Sequence, residues 1–290
     1  MKVFLSRVFG IPFFTAFVFF SLPTQAIQFG FVYDYRLDEP SKRILGDAAG
    51  KLSRAIITEY PKHPRDQKFD VVITVKLQSI DGEGGTLAQA GPTKFVTYNH
   101  DGGQYVTAGT LEIDLADLRS PGLLNIVTHE ICHILGFGTL WEEYKLVNTN
   151  AAGEQYFIGT HAAQAYTNLR GRQGLRDNRL WSVPLESGGG PGTIGAHWSE
   201  TEFYNELMTG YYNENITNPL SSVTLASFVD LGHKVNYTSA DHYQLPRTIN
   251  SGAFIGAQLG QYNYNRRPYH NCTHHLHYTP YNCGATCAVQ

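Results

Sequence analysis

The pentapeptide His129-Glu130-Ile131-Cys132-His133 constrains this chain more than any other stretch of it. On a helix it sets two imidazoles one turn apart on the same face, where both can reach one metal ion. Glu130 then lies about 100° round the helix, placed to act on a metal-bound water without being a ligand. The flanking residues predict that helix. Ser120 and Pro121 read as its N-cap and first residue, and Gly136 as the residue that ends it. Leu124, Val127, Ile131 and Leu135 form an apolar stripe roughly opposite the histidines, so one face should pack on a core and the other should face a cleft. With this histidine and glutamate content, chance would produce such a pentapeptide only about 0.02 times.

The rest of the chain is consistent with a globular protein worked around that helix. It has 290 residues, of which 16% are charged, enough for one large domain or two small ones. A net charge of −3 with no basic run leaves no electrostatic footprint for nucleic acid. Lys2 and Arg7 precede an almost wholly apolar run over residues 8–20, and Thr24-Gln25-Ala26 offers a small-residue cleavage site. This reads as an export signal over residues 1–26, too short to span a bilayer comfortably, so the mature chain should carry no transmembrane segment and be secreted or periplasmic. Cys272, Cys283 and Cys287 cluster near the C-terminus, where one disulfide is expected in an oxidising compartment. Cys132, inside the metal helix, reads as a small buried hydrophobe with a free thiol.

In chain order, residues 28–33 predict a strand, and residues 41–58 a helix capped by Ser41. Residues 69–77 and 106–113 predict two further strands before the metal helix. That order gives an α+β fold, a mixed sheet backed by two helices. Beyond Gly138 about sixty residues look irregular, including Gly188-Gly189-Gly190-Pro191-Gly192, and residues 222–231 predict one more helix. The domain should close near Pro246. A tail over residues 247–290 follows, rich in Cys and His; its His270, His274, His275 and His277 fit a solvated segment better than a second metal site.

A catalytic zinc needs a third protein ligand and an open position. In one branch of the zinc peptidases that ligand is a downstream Glu, for which Glu154 is the candidate. In the metzincin branch a Gly follows the second His and a later His completes the site. Gly136 holds the metzincin position, but the short metzincin spacing would need a histidine where this chain has Thr139.

Five segments carry a resemblance that resolves this. His129 to Trp141 reads His-Glu-x-x-His-x-Leu-Gly-Phe-Gly-Thr-Leu-Trp, and Gly192 to Trp198 ends in His-Trp. Asn205-Glu206-Leu207-Met208-Thr209-Gly210 follows, then Asn218-Pro219-Leu220-Ser221, then Thr224 to Gly232. In this order they resemble leishmanolysin and its bacterial relatives, metzincins in which a long insertion separates the Gly from the third His. The resemblance spans roughly residues 69–246. It implies a metzincin-like fold, a twisted mixed sheet with an active-site helix and a less regular C-terminal subdomain. It implies His197 as the third ligand of one catalytic Zn²⁺, with His129 and His133, and Met208 as the methionine of the turn beneath the metal. The few cysteines, none upstream of the metal helix, and the short N-terminal part point to the leaner, bacterial type. Cys132 stands where relatives often have a smaller residue.

The expectation is therefore a secreted zinc metalloendopeptidase acting on protein or peptide substrates, in which Glu130 is the general base toward a zinc-bound water. The strand over residues 106–113 would line the cleft and pair with an extended substrate. The alternative is a non-catalytic zinc-stabilised surface or adhesion module, against which an intact Glu130 argues.

Overall fold

The computed structural model describes residues 26–60, 68–97, 104–175, 179–190, 192–214, 216–249, 253–255, 267–268 and 287–289. The expected export signal, apart from Ala26, lies outside them, as do Cys272, Cys283 and His270, His274, His275 and His277. No helix among the described residues is long and apolar enough to cross a membrane.

The first half is a sheet with two helices: β1 (Phe29–Val32), α1 (Glu39–Ala55), β2 (Val71–Gln78), β3 (Ala88–Thr97), β4 (Gln104–Asp114) and α2 (Leu123–Ile134). The strands lie in the order β1-β2-β4-β3, with the backbone of Cys287–Val289 outermost. β1, β2 and β4 are parallel, β3 is antiparallel to β4, and Cys287–Val289 is antiparallel to β3. The fold is α+β with a mixed sheet, as expected. β2 shows why it belongs there: Val71, Ile73, Val75 and Leu77 alternate into the core, and the residues between them point away.

Three local expectations are corrected. α1 is capped by Asp38, whose carboxylate accepts the Ser41 N–H at 3.0 Å, so Ser41 lies inside the helix rather than ahead of it. α2 begins after Gly122, because Ser120 is spent in a turn in which its hydroxyl accepts the Gly122 N–H. β4 is an interior strand, bonded to β2 on one side and β3 on the other, so it has no edge with which to pair a substrate.

β3 was not legible as a strand. Its sequence, Ala-Gln-Ala-Gly-Pro-Thr-Lys-Phe-Val-Thr, has little alternation and carries Pro92, and its register slips between Pro92 and Phe95. Such irregularity is where a strand tolerates proline.

The expected long irregular region also has structure of its own. It holds β5 (Val147–Thr149), β6 (Gln155–Phe157), α3 (Thr160–Arg170) and β7 (Val183–Pro184), the three strands forming a small antiparallel sheet. α3 escapes local reading because its N-terminus is capped from a distance. The Asp230 carboxylate accepts the N–H groups of His161 and Ala162, each at 2.9 Å, across the fold. Beyond these come α4 (Glu200–Phe203), β8 (Tyr211–Tyr212) and α5 (Ser222–Asp230); α5 is capped by Ser221 and packs on α3.

α2 rests directly on the sheet at Gly109. A Cβ there would lie 2.4 Å from Ile134 Cγ2 and 3.0 Å from the Gly91 carbonyl oxygen, so only glycine lets the helix approach this closely. Gly109→Val should therefore destabilise the protein by about 1–3 kcal/mol through overpacking. Urea unfolding followed by far-UV circular dichroism checks this; an unchanged midpoint would contradict the close approach.

Candidate metal centre

His129 and His133 lie one turn apart on α2, whose C-cap, Leu135, is followed by Gly136 with φ 109°. That left-handed residue turns the chain away as expected. The Thr139 hydroxyl, at the position where a short metzincin spacing would need histidine, donates to the His133 carbonyl at 2.8 Å and helps close the helix. Gly138, with φ 70°, brings the chain so close to residue 196 that a Cβ would sit 2.3 Å from the Ala196 carbonyl oxygen. His197 is next in sequence.

The three histidines converge. Their Nε2 atoms are 2.9 Å (His129–His133), 2.9 Å (His133–His197) and 3.3 Å (His129–His197) apart. Each Nδ1 faces a backbone carbonyl: Leu207 at 2.6 Å for His129, Phe137 at 2.8 Å for His133, and Thr193 at 3.1 Å for His197. A carbonyl only accepts, so each Nδ1 carries the proton and each neutral ring presents its Nε2 lone pair to the common centre. Three converging acceptors repel one another and call for a cation. A tetrahedral zinc with Zn–N bonds of about 2.0–2.1 Å spaces its ligand nitrogens about 3.3 Å apart, close to what is seen. The donor set thus fits the metal.

All three rings are buried. Burial, reinforced by the His133 ring, holds the pKa of His129 well below its usual value, against the Leu207 carbonyl. Burial and the two neighbouring rings do the same for His197. Burial lowers His133 to about 4, partly offset by the Phe137 carbonyl. All three are therefore neutral, as metal ligands must be.

α2 was expected to show one face to a cleft, but residues 126–134 are all buried. The segment that carries His197 and Met208 folds over the histidine face: the His197 ring stacks on His129 at 5.2 Å, and the Leu207 carbonyl meets His129. Glu130 is fully buried beside them. Cys132 is buried with a free thiol. Met208 is buried in the turn between Leu207 and Thr209, and its carbonyl accepts the Trp198 N–H at 3.0 Å. Glu154 lies elsewhere, bonded to Asn150 and Tyr156 at the surface, which removes it as a third ligand.

Sequence reading missed two carboxylates in this region. Glu186 accepts the Ser187 and Gly188 N–H groups at 2.9 and 2.8 Å and the Glu200 N–H at 2.8 Å, which fixes the start of the glycine-rich loop. Glu206 accepts from Met208 N, Ser221 N and the Thr224 hydroxyl. Burial pushes its carboxyl up from the usual range, and the bonds from Thr224, Ser221 and Met208 draw it part of the way back. Around them the motif aromatics form one cluster. Phe137 lies 4.5 Å from Trp141 and 5.0 Å from Trp198, and Trp141 stacks on Trp198 at 5.1 Å.

The mixed sheet, the helix with its paired histidines and the turn beside them define a metzincin-like fold. Within that class the leishmanolysin model matches residues 67–284, and the chain belongs to the leishmanolysin family. It is 32% identical over 157 residues to a leishmanolysin homolog of Crithidia fasciculata, covering 46% of this chain and 20% of that protein. It is 27% identical over 213 residues to leishmanolysin of Leishmania major, covering 68% and 32%. To the ciliated left-right organizer metallopeptidase of Xenopus laevis it is 26% identical over 193 residues, covering 56% and 24%. The matched regions thus span between a fifth and a third of these relatives' lengths.

A fourth buried imidazole braces the metal helix. The His233 Nδ1 lies 3.1 Å from the Thr58 hydroxyl, and the ring also bonds the carbonyl of Leu135, the C-cap of α2. Burial lowers its pKa to about 4 despite that carbonyl. His133 and His233 therefore take up protons in the unfolded chain near pH 6.5 but in the folded chain only near pH 4. Below about pH 6.5 the unfolded state binds more protons, so stability of the metal-free protein should fall as pH drops from about 6.5 toward 4. Chemical denaturation across that range, with chelator present, tests this; stability flat over the window would contradict neutral burial of these rings.

Proposed function

We propose that the chain is an exported zinc metalloendopeptidase, with residues 27–246 as its catalytic domain behind an export signal and residues 247–290 as a C-terminal tail, of which Cys287–Val289 adds an outer strand to the sheet. The convergence of three Nε2 atoms, each ring oriented by a backbone carbonyl, is the observation that carries this reading. His129, His133 and His197 would hold one Zn²⁺, with Met208 in the turn beside them. When bound, zinc supplies a Lewis acid that polarises the scissile carbonyl and acidifies a water to a pKa of about 7.

The protein's own residues do the rest. Glu130, fixed on the same helix one residue after His129, accepts a proton from the attacking water and returns it to the amine nitrogen as the C–N bond breaks. The carbonyls of Leu207, Phe137 and Thr193 keep the three rings in the tautomer that binds metal. Family membership supports the peptidase class, and the names of the Leishmania major and Xenopus laevis relatives support it for the matched region.

Glu130→Ala should keep its zinc and lose hydrolysis of casein or a quenched peptide library by at least about a hundredfold, the scale of general base catalysis. A variant with full activity would remove Glu130 from the mechanism. Zinc in both proteins and cleavage by neither would favour a non-catalytic zinc module. His197→Ala should purify with little zinc, read by atomic absorption; full stoichiometry would exclude it as a ligand.

A further inference from the structure

We propose that Glu206 is a positioning residue that holds two of the three histidines in their metal-binding orientation, an inference that rests on the zinc reading above. Glu206 is fully buried, and three hydrogen-bond donors hold its carboxylate. One oxygen accepts the Met208 N–H at 2.6 Å. The other accepts the Ser221 N–H at 3.0 Å and the Thr224 hydroxyl. A buried carboxylate costs several kcal/mol in desolvation, more than an apolar residue filling the same space. What it does in return is visible in its neighbours.

The bond to the Met208 N–H fixes the Leu207–Met208 peptide, and the carbonyl of that peptide is the Leu207 oxygen that accepts His129 Nδ1–H. Rotation of this one peptide unit would release the Glu206 bond and swing the oxygen off His129 together, since N–H and C=O share a plane. The second oxygen acts on the other side. The Thr224 hydroxyl that donates to Glu206 accepts the Trp198 indole N–H at 2.8 Å, and Trp198 follows His197 directly. The Trp198 backbone N–H in turn donates to the Met208 carbonyl. One carboxylate thereby ties the turn, the head of α5 and the segment bearing His197 into a single hydrogen-bonded unit around the histidines. The motif Asn-Glu-Leu-Met-Thr-Gly gains a reason for its acid: it sets the peptide that orients a ligand.

Glu206→Gln tests this. Whichever way it turns, the amide sets its NH₂ against a backbone N–H that the carboxylate accepted, that of Met208 or that of Ser221, so one arm of the unit is lost. Zinc affinity, measured by chelator competition on the full chain, is expected to fall about 10–100-fold, the range for loss of a ligand-orienting partner. The visible spectrum of the cobalt-substituted protein should shift, while far-UV circular dichroism stays that of the wild type. Thr224→Ser retains the hydroxyl and should match the wild type in both. Wild-type affinity and an unchanged cobalt spectrum in Glu206→Gln, even with lowered thermal stability, would reduce Glu206 to a structural residue and overturn the proposal. Should Glu206→Gln fail to fold, Thr224→Val decides: it cuts the link to Trp198, and an unchanged affinity and spectrum there would overturn it equally. A wild-type chain that binds no zinc would instead defeat the metal reading itself.

Discussion

The arrangement on which the rest depends is the meeting of three neutral imidazoles in a buried space, each held by a carbonyl behind it. Rings left free to rotate would turn their N–H groups toward one another and satisfy themselves. The Leu207, Phe137 and Thr193 carbonyls prevent that by claiming every Nδ1 proton, so three lone pairs are left facing inward. The cost of such an arrangement without metal is electrostatic repulsion among acceptors at 2.9–3.3 Å. Only a cation removes it. The carbonyls come from three different places: the turn after α2, the loop before His197 and the Met208 turn. The site therefore needs the whole fold to be in register, not α2 alone.

The aromatic cluster supplies the register. Phe137 lends its carbonyl to His133 while its ring packs against Trp141 and Trp198. Trp198 neighbours His197 and bonds Thr224. Gly138 lets the chain leaving α2 touch the chain entering His197. Residues between the histidines thus weld the two histidine-bearing segments together. That explains why Phe137-Gly138-Thr139-Leu140-Trp141 belongs to the motif: each of Phe137, Gly138, Thr139 and Trp141 closes a contact around the same corner.

How much of this was legible beforehand follows from how local each cause is. The HExxH helix, its end at Gly136 and the α+β order depend on neighbours within a few residues, and they read correctly. Cys132 likewise read as a buried thiol. β3 did not, because Pro92 and weak alternation hide a strand whose register is set by β4. α3 did not, because its cap, Asp230, comes from a distant helix. His197 was reached only through the family likeness; among twelve histidines nothing local marks it. The backbone carbonyls that orient the rings carry no sequence signal at all; Glu206 stood in a motif with no role assigned to its acid, and Glu186 was not singled out.

The long separation between Gly138 and His197 would be a poor way to bring His197 to α2 if the intervening chain were a flexible loop. Loop closure alone grows slowly with length, but ordering every residue of an unstructured segment costs about 1–2 kcal/mol each. The insertion meets that cost from within. β5, β6 and β7 pair with one another, and α3 packs on α5 with Asp230 across its N-terminus. Its two ends are then fixed to each other where Gly138 meets Ala196. The position of His197 thus depends on that contact and not on the length of chain between.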